Sequence, residues 1–118
     1  MQNKSEDLLD LEMMCDQLLQ QSVEEVFSLP QQFLVDWDTE KKKLSKALNN
    51  GSQANILHLL HRLKGKAGMC MLSALRIEFA EIEDAVKSGK TQIDIDRISQ
   101  LVHQSKQEYE KMKTELLA

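Results

Sequence analysis

Apolar residues recur every three or four positions along most of the chain. The rhythm breaks at Ser22, Ser28–Pro30, Asn49–Ser52, Met71–Ser73 and Ser88–Asp94. This is the pattern of amphipathic helices that turn one face to a core. A first helix is predicted from about Ser5 to Gln21. Ser5 caps it, Glu6 and Asp7 fill the acid-favouring first turn, and Leu8, Leu11, Met14 or Cys15, and Leu18 form its stripe. Ser22 followed by Glu25 fits a capping box, which predicts a short second helix through Phe27. Pro30 suits the first turn of a third helix reaching Asn49, with Phe33 or Leu34, Trp37, Leu44 and Leu48 inward. Ser52 caps a helix over about Gln53 to Cys70. Another runs from Ser73 to Lys87, with Leu75, Phe79, Ile82 and Val86 on its stripe. The last begins near Asp94 and reaches Leu117; Ile95, Ile98, Val102, Ser105, Tyr109, Met112 and Leu116 form its seam. The predicted fold is all-α: an antiparallel four-helix bundle with one or two additional N-terminal helices.

Composition narrows the picture. The 118 residues suit one domain, residues 1–118. Four glycines and one proline are too few for a turn-rich sandwich or barrel. A net charge of −4 leaves no basic footprint for nucleic acid, and the Lys41-Lys42-Lys43 run reads as a solvated helix face. Aromatics at 4% argue against a base-stacking platform. No apolar run approaches the roughly 20 residues of a membrane span. The polar, acidic start is no signal peptide, so a cytoplasmic location is expected. The opening Met and polar lead-in favour a free-standing protein. Cys15 and Cys70 are too few for a disulfide framework and are expected as buried, reduced thiols. The core stripes can be satisfied internally, so a monomer is expected.

The segment Asn55–Leu75 does not behave as plain scaffold. Ile56, Leu60, Leu63, Ala67, Cys70 and Leu59 fall on one stripe of a helical wheel, and His61 falls about 150° away from its centre. Gly68, Gly65, Leu57 and Lys64 surround His61 on that exposed face. Each mid-helix glycine costs about 1 kcal/mol relative to alanine. No core packing demands them there, but a surface that another backbone must approach closely would. An imidazole with an ordinary pKa near 6.5 is substantially a neutral nucleophile near pH 7. It suits taking a phosphoryl group from an acyl phosphate. Lys64 at i+3 and His58 at i−3 lie within reach on the helix surface. The Lys64 ammonium suits steadying phosphoryl oxygens, and Leu57 suits apolar contact with a partner. No carboxylate is evident near His61 in the sequence. His58-x-x-His61 lacks the further ligand a metal site needs, so no metal is expected.

His61-Arg62-Leu63-Lys64-Gly65-Lys66-Ala67 resembles the His-x-Leu-Lys-Gly-x-Ser/Ala signature of the histidine-containing phosphotransfer domains of bacterial phosphorelays. Leu75 and Glu83 match apolar and acidic positions further along, and Asp10-Leu11 and Phe33 fit a weaker pattern upstream. The likeness covers roughly Asp10 to Tyr109. It implies a four-helix bundle whose exposed His61 accepts phosphate from one receiver-domain aspartate and passes it to another. Lys64 is then the electrostatic helper, and Leu57, His58, Gly65 and Gly68 meet the partner. The implied partners are response-regulator receiver domains and a hybrid sensor kinase. The chain would have no kinase activity and no intrinsic cofactor, since Mg²⁺ belongs to the receiver. One position departs from the pattern: Met71 stands where the family usually has Gly. The rival reading is a helical adaptor or dimerisation module that binds a partner without chemistry.

Overall fold

The computed structural model describes residues 8–90 and 92–118. Five helices with both ends among the described residues follow one another: α1 Leu11–Leu18, α2 Val23–Asn50, α3 Gln53–Met69, α4 Ser73–Lys87 and α5 Ile95–Leu117. Helices α2 to α5 form a ring in which each packs on the next and α5 closes back on α2; α1 packs on α2. The fold is therefore the expected helical bundle, with one additional N-terminal helix among the described residues. None of these helices is long and apolar enough to cross a membrane.

Three boundaries depart from the expected ones. The Ser5 cap and the Glu6–Asp7 turn lie outside the described residues; Leu8 is still helical, but the chain bends at Leu9 and α1 runs on only from Leu11. Its cap is Asp10, whose Oδ1 accepts from the Met13 N–H at 3.0 Å. Leu8 and Leu9 are both buried just before it. Adjacent residues on a helix point about 100° apart, so a bend serves to turn both inward.

The short second helix and the third are one. Ser22 and Glu25 form the reciprocal capping box, each side chain accepting from the other's backbone N–H at 3.2 Å, but the helix runs through Pro30 to Asn50. Pro30 has no N–H to give the Val26 carbonyl, and its ring crowds that turn. Neighbouring carbonyls find side-chain donors instead. Ser28 Oγ donates to the Glu25 carbonyl at 2.9 Å, and Tyr109 Oη donates to the Phe27 carbonyl at 3.2 Å. Pro30 itself is fully buried between Phe27 and Phe33 on the inward stripe. Tertiary packing thus outweighs a local break.

The third departure lies in the α3–α4 corner. Helix α3 ends at Met69, and Met71 takes the left-handed backbone with φ 61°. The Met71 N–H donates to the Gly68 carbonyl at 3.2 Å and the Leu72 N–H to the Ala67 carbonyl at 2.9 Å. Those two bonds are a Schellman ending, which a glycine normally occupies. Met71 holds a backbone that glycine favours, yet the residue is only 3% exposed. The remaining ends match expectation: Gly51 (φ 68°) closes α2, Ser52 caps α3, and Asp94 caps α5.

Phe27, Leu44, Leu60, Leu63, Phe79 and Ile98 are wholly inaccessible at the centre. Tyr109 meets Phe27 near one end of the α2–α5 pair, and Trp37 Nε1 donates to Ser99 Oγ at 3.2 Å near the other. These contacts fix α5 antiparallel to α2. Two inward assignments need correction. Leu116 is exposed, because the last turn of α5 overhangs the bundle. Cys15 is exposed too: Met14 takes the buried place on α1. Only Cys70 is a buried thiol, and burial pushes its pKa up to about 11.

Candidate functional site

Helix α3 presents the surface the wheel predicts. Ile56, Leu60, Leu63 and Ala67 are buried, and Leu59 is half-buried. The His61 side chain on the far face is 74% exposed. His58 and Gly65 are exposed, while Gly68 and Lys64 are partly covered. Leu57 is half-buried against the core, so only part of it is available to a partner.

The expectation that His61 has no carboxylate nearby is overturned. Glu83, on the facing turn of α4, brings Oε2 to 3.3 Å from His61 Nδ1 and accepts from Lys64 Nζ through Oε1 at 2.6 Å. The Glu83 side chain is only 6% exposed. One buried carboxylate therefore holds both polar members of the motif. The Lys64 hydrogen bond is the main cause that keeps the Glu83 carboxyl below its ordinary value, and burial opposes it. The Lys64 and Lys87 charges and the His61 bond add to the lowering.

A second buried carboxylate grips the other flank of α3. Glu40 on α2 accepts from Arg62 Nη2 at 3.2 Å and from Lys66 Nζ at 3.5 Å, with Lys43 at 3.8 Å. Arg62 and His61 are neighbours in sequence, so α3 is held in rotation from both sides. Glu40 belongs to no motif of the sequence. Its signal was there: Glu40 sits three residues after Trp37 and four before Leu44, on the buried stripe. Glu83 likewise sits between Phe79 and Val86. A carboxylate on an inward stripe needs a partner, because an unpaired buried charge is costly.

The two glycines prove unlike each other. A Cβ built at Gly65 would meet nothing within 4 Å among the described residues. At Gly68, a Cβ would lie 3.2 Å from Arg76 Cδ, so this glycine makes room for the stem of Arg76 from α4. Gly65 has no such explanation inside the chain. His58 makes no hydrogen bond or ion pair with Glu83 or Lys64, and no group of three His, Cys, Asp or Glu among the described residues could hold a metal ion.

A family model described as the Hpt domain matches residues 28–115 of this chain. No curated protein and no solved structure matches it.

Proposed function

The chain belongs to the Hpt domain family, whose members carry histidine phosphotransfer in phosphorelays, and from that premise we propose that His61 is the side chain that accepts and hands on the phosphoryl group. The observation that carries this is the exposed imidazole whose Nδ1 faces the buried carboxylate of Glu83 at 3.3 Å.

An Nδ1–H donated to Glu83 leaves Nε2 with the free lone pair. Nε2 attacks phosphorus on a receiver aspartyl phosphate. The N–P bond forms, the P–O bond to aspartate breaks, and the aspartate leaves as a carboxylate with the electron pair. No proton has to move. The ring becomes cationic while Nδ1 keeps its hydrogen, and Glu83 sits beside the new charge. Passing the group on is the reverse step, with a second receiver aspartate attacking phosphorus and the electron pair returning to Nε2.

Lys64 has three donors and gives one to Glu83. The others remain for phosphoryl oxygens. Gly65 provides clearance for the partner's backbone, and the exposed parts of Leu57 and His58 contact the partner, as does the Gly68 face. On this reading residues 1–118 are one phosphotransfer domain acting as a monomer between a hybrid sensor kinase and response-regulator receivers. Mg²⁺ is the receiver's, and the chain adds no kinase activity.

The test is incubation with phosphorylated receiver domains from the organism that encodes the chain. The protein should acquire acid-labile, base-stable phosphate. His61→Gln should abolish the label, and His58→Ala should retain most of it. A wild-type protein that takes label from no receiver would return the chain to the helical-adaptor reading.

A further inference from the structure

Along α4, Arg76, Ala80, Glu83 and Lys87 are spaced four, three and four residues apart, so they share one face. Two contacts fix where that face lies. Glu83 touches His61 and Lys64, and the stem of Arg76 lies over Gly68. Gly68 is about 20° from His61 around α3 and about 10 Å further along it. The row therefore borders the exposed side of His61 over three turns. Its middle is low, because Gly65 and Ala80 carry little side chain. Its two ends are cationic.

Arg76 is exposed, and while its backbone N–H donates to the Leu72 carbonyl at 3.0 Å, its guanidinium makes no hydrogen bond or ion pair with any described residue. Its neighbours do pair. Lys64 is taken by Glu83, Arg62 and Lys66 by Glu40, and Arg97 by Glu78. The chain as a whole carries −4, yet Lys64, Glu83, Arg76 and Lys87 together leave this face positive. Gly68 gives up side-chain packing and helix propensity at the point where the Arg76 stem crosses it.

We propose that Arg76 is a partner-positioning residue: its guanidinium docks carboxylates on the receiver surface that surrounds the aspartyl phosphate. This rests on the phosphotransfer reading of His61. A surface that carries a phosphorylated aspartate and holds a divalent cation must present further carboxylates, and a guanidinium matches them in fork geometry. Arg76 stands about two turns from His61, so it meets the rim of that surface and not the transferred group. Such a contact steers encounter and weakens with salt.

The experiment compares wild type, Arg76→Glu and Arg76→Lys. One arm measures second-order transfer from acetyl-phosphate-charged receivers at low and high salt. The other labels His61 directly with phosphoramidate, which needs no docking surface. Arg76→Glu should lower transfer from the receiver roughly tenfold at low salt, with the gap closing at high salt. Arg76→Lys, which keeps the charge and loses the fork, should fall between wild type and Arg76→Glu. Phosphoramidate labelling should be equal in all three. Equal transfer by Arg76→Glu and wild type at low salt overturns the docking role. So does slower phosphoramidate labelling, which would place Arg76 at His61 or in the stability of the fold. If His61 takes label from phosphoramidate but no receiver donates, the docking role falls and the phosphoacceptor stands. If His61→Gln labels as well as wild type, the phosphotransfer reading itself fails.

Discussion

The backbone N–H of Asp10 donates to the carbonyl of Met71 at 2.8 Å. Asp10 is also the cap of α1, and Met71 is the left-handed residue that ends α3. One hydrogen bond thus ties the entrance of the extra N-terminal helix to the corner of the phosphotransfer bundle.

That corner contains opposing terms. A left-handed non-glycine residue costs about 1–2 kcal/mol, while truncating a buried methionine to alanine costs about 2–5 kcal/mol. Met71→Ala should lose the burial and keep the strain. Met71→Gly should lose the burial and relieve the strain. Both variants should be less stable than wild type, with the glycine variant the more stable of the two by about 1 kcal/mol. Urea denaturation decides it. An alanine variant at least as stable as the glycine variant would mean the backbone at Met71 is not strained.

Ser105 offers the opposite sign. It is wholly buried on α5, and its Oγ has no hydrogen-bond partner among the described residues. An unpaired buried hydroxyl costs about 1–3 kcal/mol, and alanine is the better helix former. Ser105→Ala should therefore stabilise the protein by about 1 kcal/mol, raising the thermal midpoint by about 4 °C. A drop in the midpoint would show that the hydroxyl is satisfied in solution.

These examples mark where the sequence was readable. Ends built on local chemistry were legible: the Ser22–Glu25 capping box, Gly51, Ser52 and Asp94 all act where their side chains or backbone freedom predict. Breaks that depend on distant packing were not. Pro30 reads as a helix start, and only the burial of Phe27, Pro30 and Phe33, with Tyr109 reaching over from α5, explains why α2 runs through it. The same holds at the site. His61, Lys64 and Gly65 share one helix, so periodicity alone put them together. Glu83 is 22 residues from His61, and only the antiparallel packing of α3 on α4 brings it to the imidazole. Glu40 was hidden for the same reason, on an inward stripe of α2 whose partners lie on α3.

Glu83 should also leave a mark on acid stability. Its pKa in the folded protein is below the ordinary 4.5, chiefly through the Lys64 hydrogen bond. A lowered folded value means the unfolded chain binds the proton more readily. The stabilisation is then complete above about pH 4.5 and is lost as pH falls through the folded pKa. Stability of wild type and Glu83→Gln, measured by urea midpoints between about pH 3 and 7, should differ most near neutrality and converge in acid. A constant gap across that range would mean the carboxylate charge contributes nothing.

The same residue should matter for transfer. If Glu83 selects the imidazole tautomer by taking the Nδ1 hydrogen, Glu83→Ala should slow phosphoryl acceptance roughly tenfold to a hundredfold, the range seen when the partner that orients an imidazole is removed. Glu83→Gln, which keeps an acceptor oxygen, should lie between. The effect should appear with phosphoramidate as well as with a phosphorylated receiver, because it acts on His61 itself. Normal rates in Glu83→Ala with the small donor would remove Glu83 from the mechanism.

Gly65 separates docking from folding most cleanly. A Cβ there meets nothing within 4 Å among the described residues, and the residue lies in the interior of α3. Gly65→Ala should therefore stabilise the helix by about 1 kcal/mol. Gly65→Leu should also fold, and phosphoramidate should label its His61 at the wild-type rate. Transfer from a receiver is a different matter. A side chain in the path of the partner's backbone that costs about 1.4 kcal/mol of docking free energy slows second-order transfer tenfold, and leucine should cost at least that. Alanine should show a smaller loss of the same kind. If Gly65→Leu exchanges phosphate with receivers as fast as wild type, the exposed glycine is not clearance for a partner. Its helix cost would then have no explanation at this site.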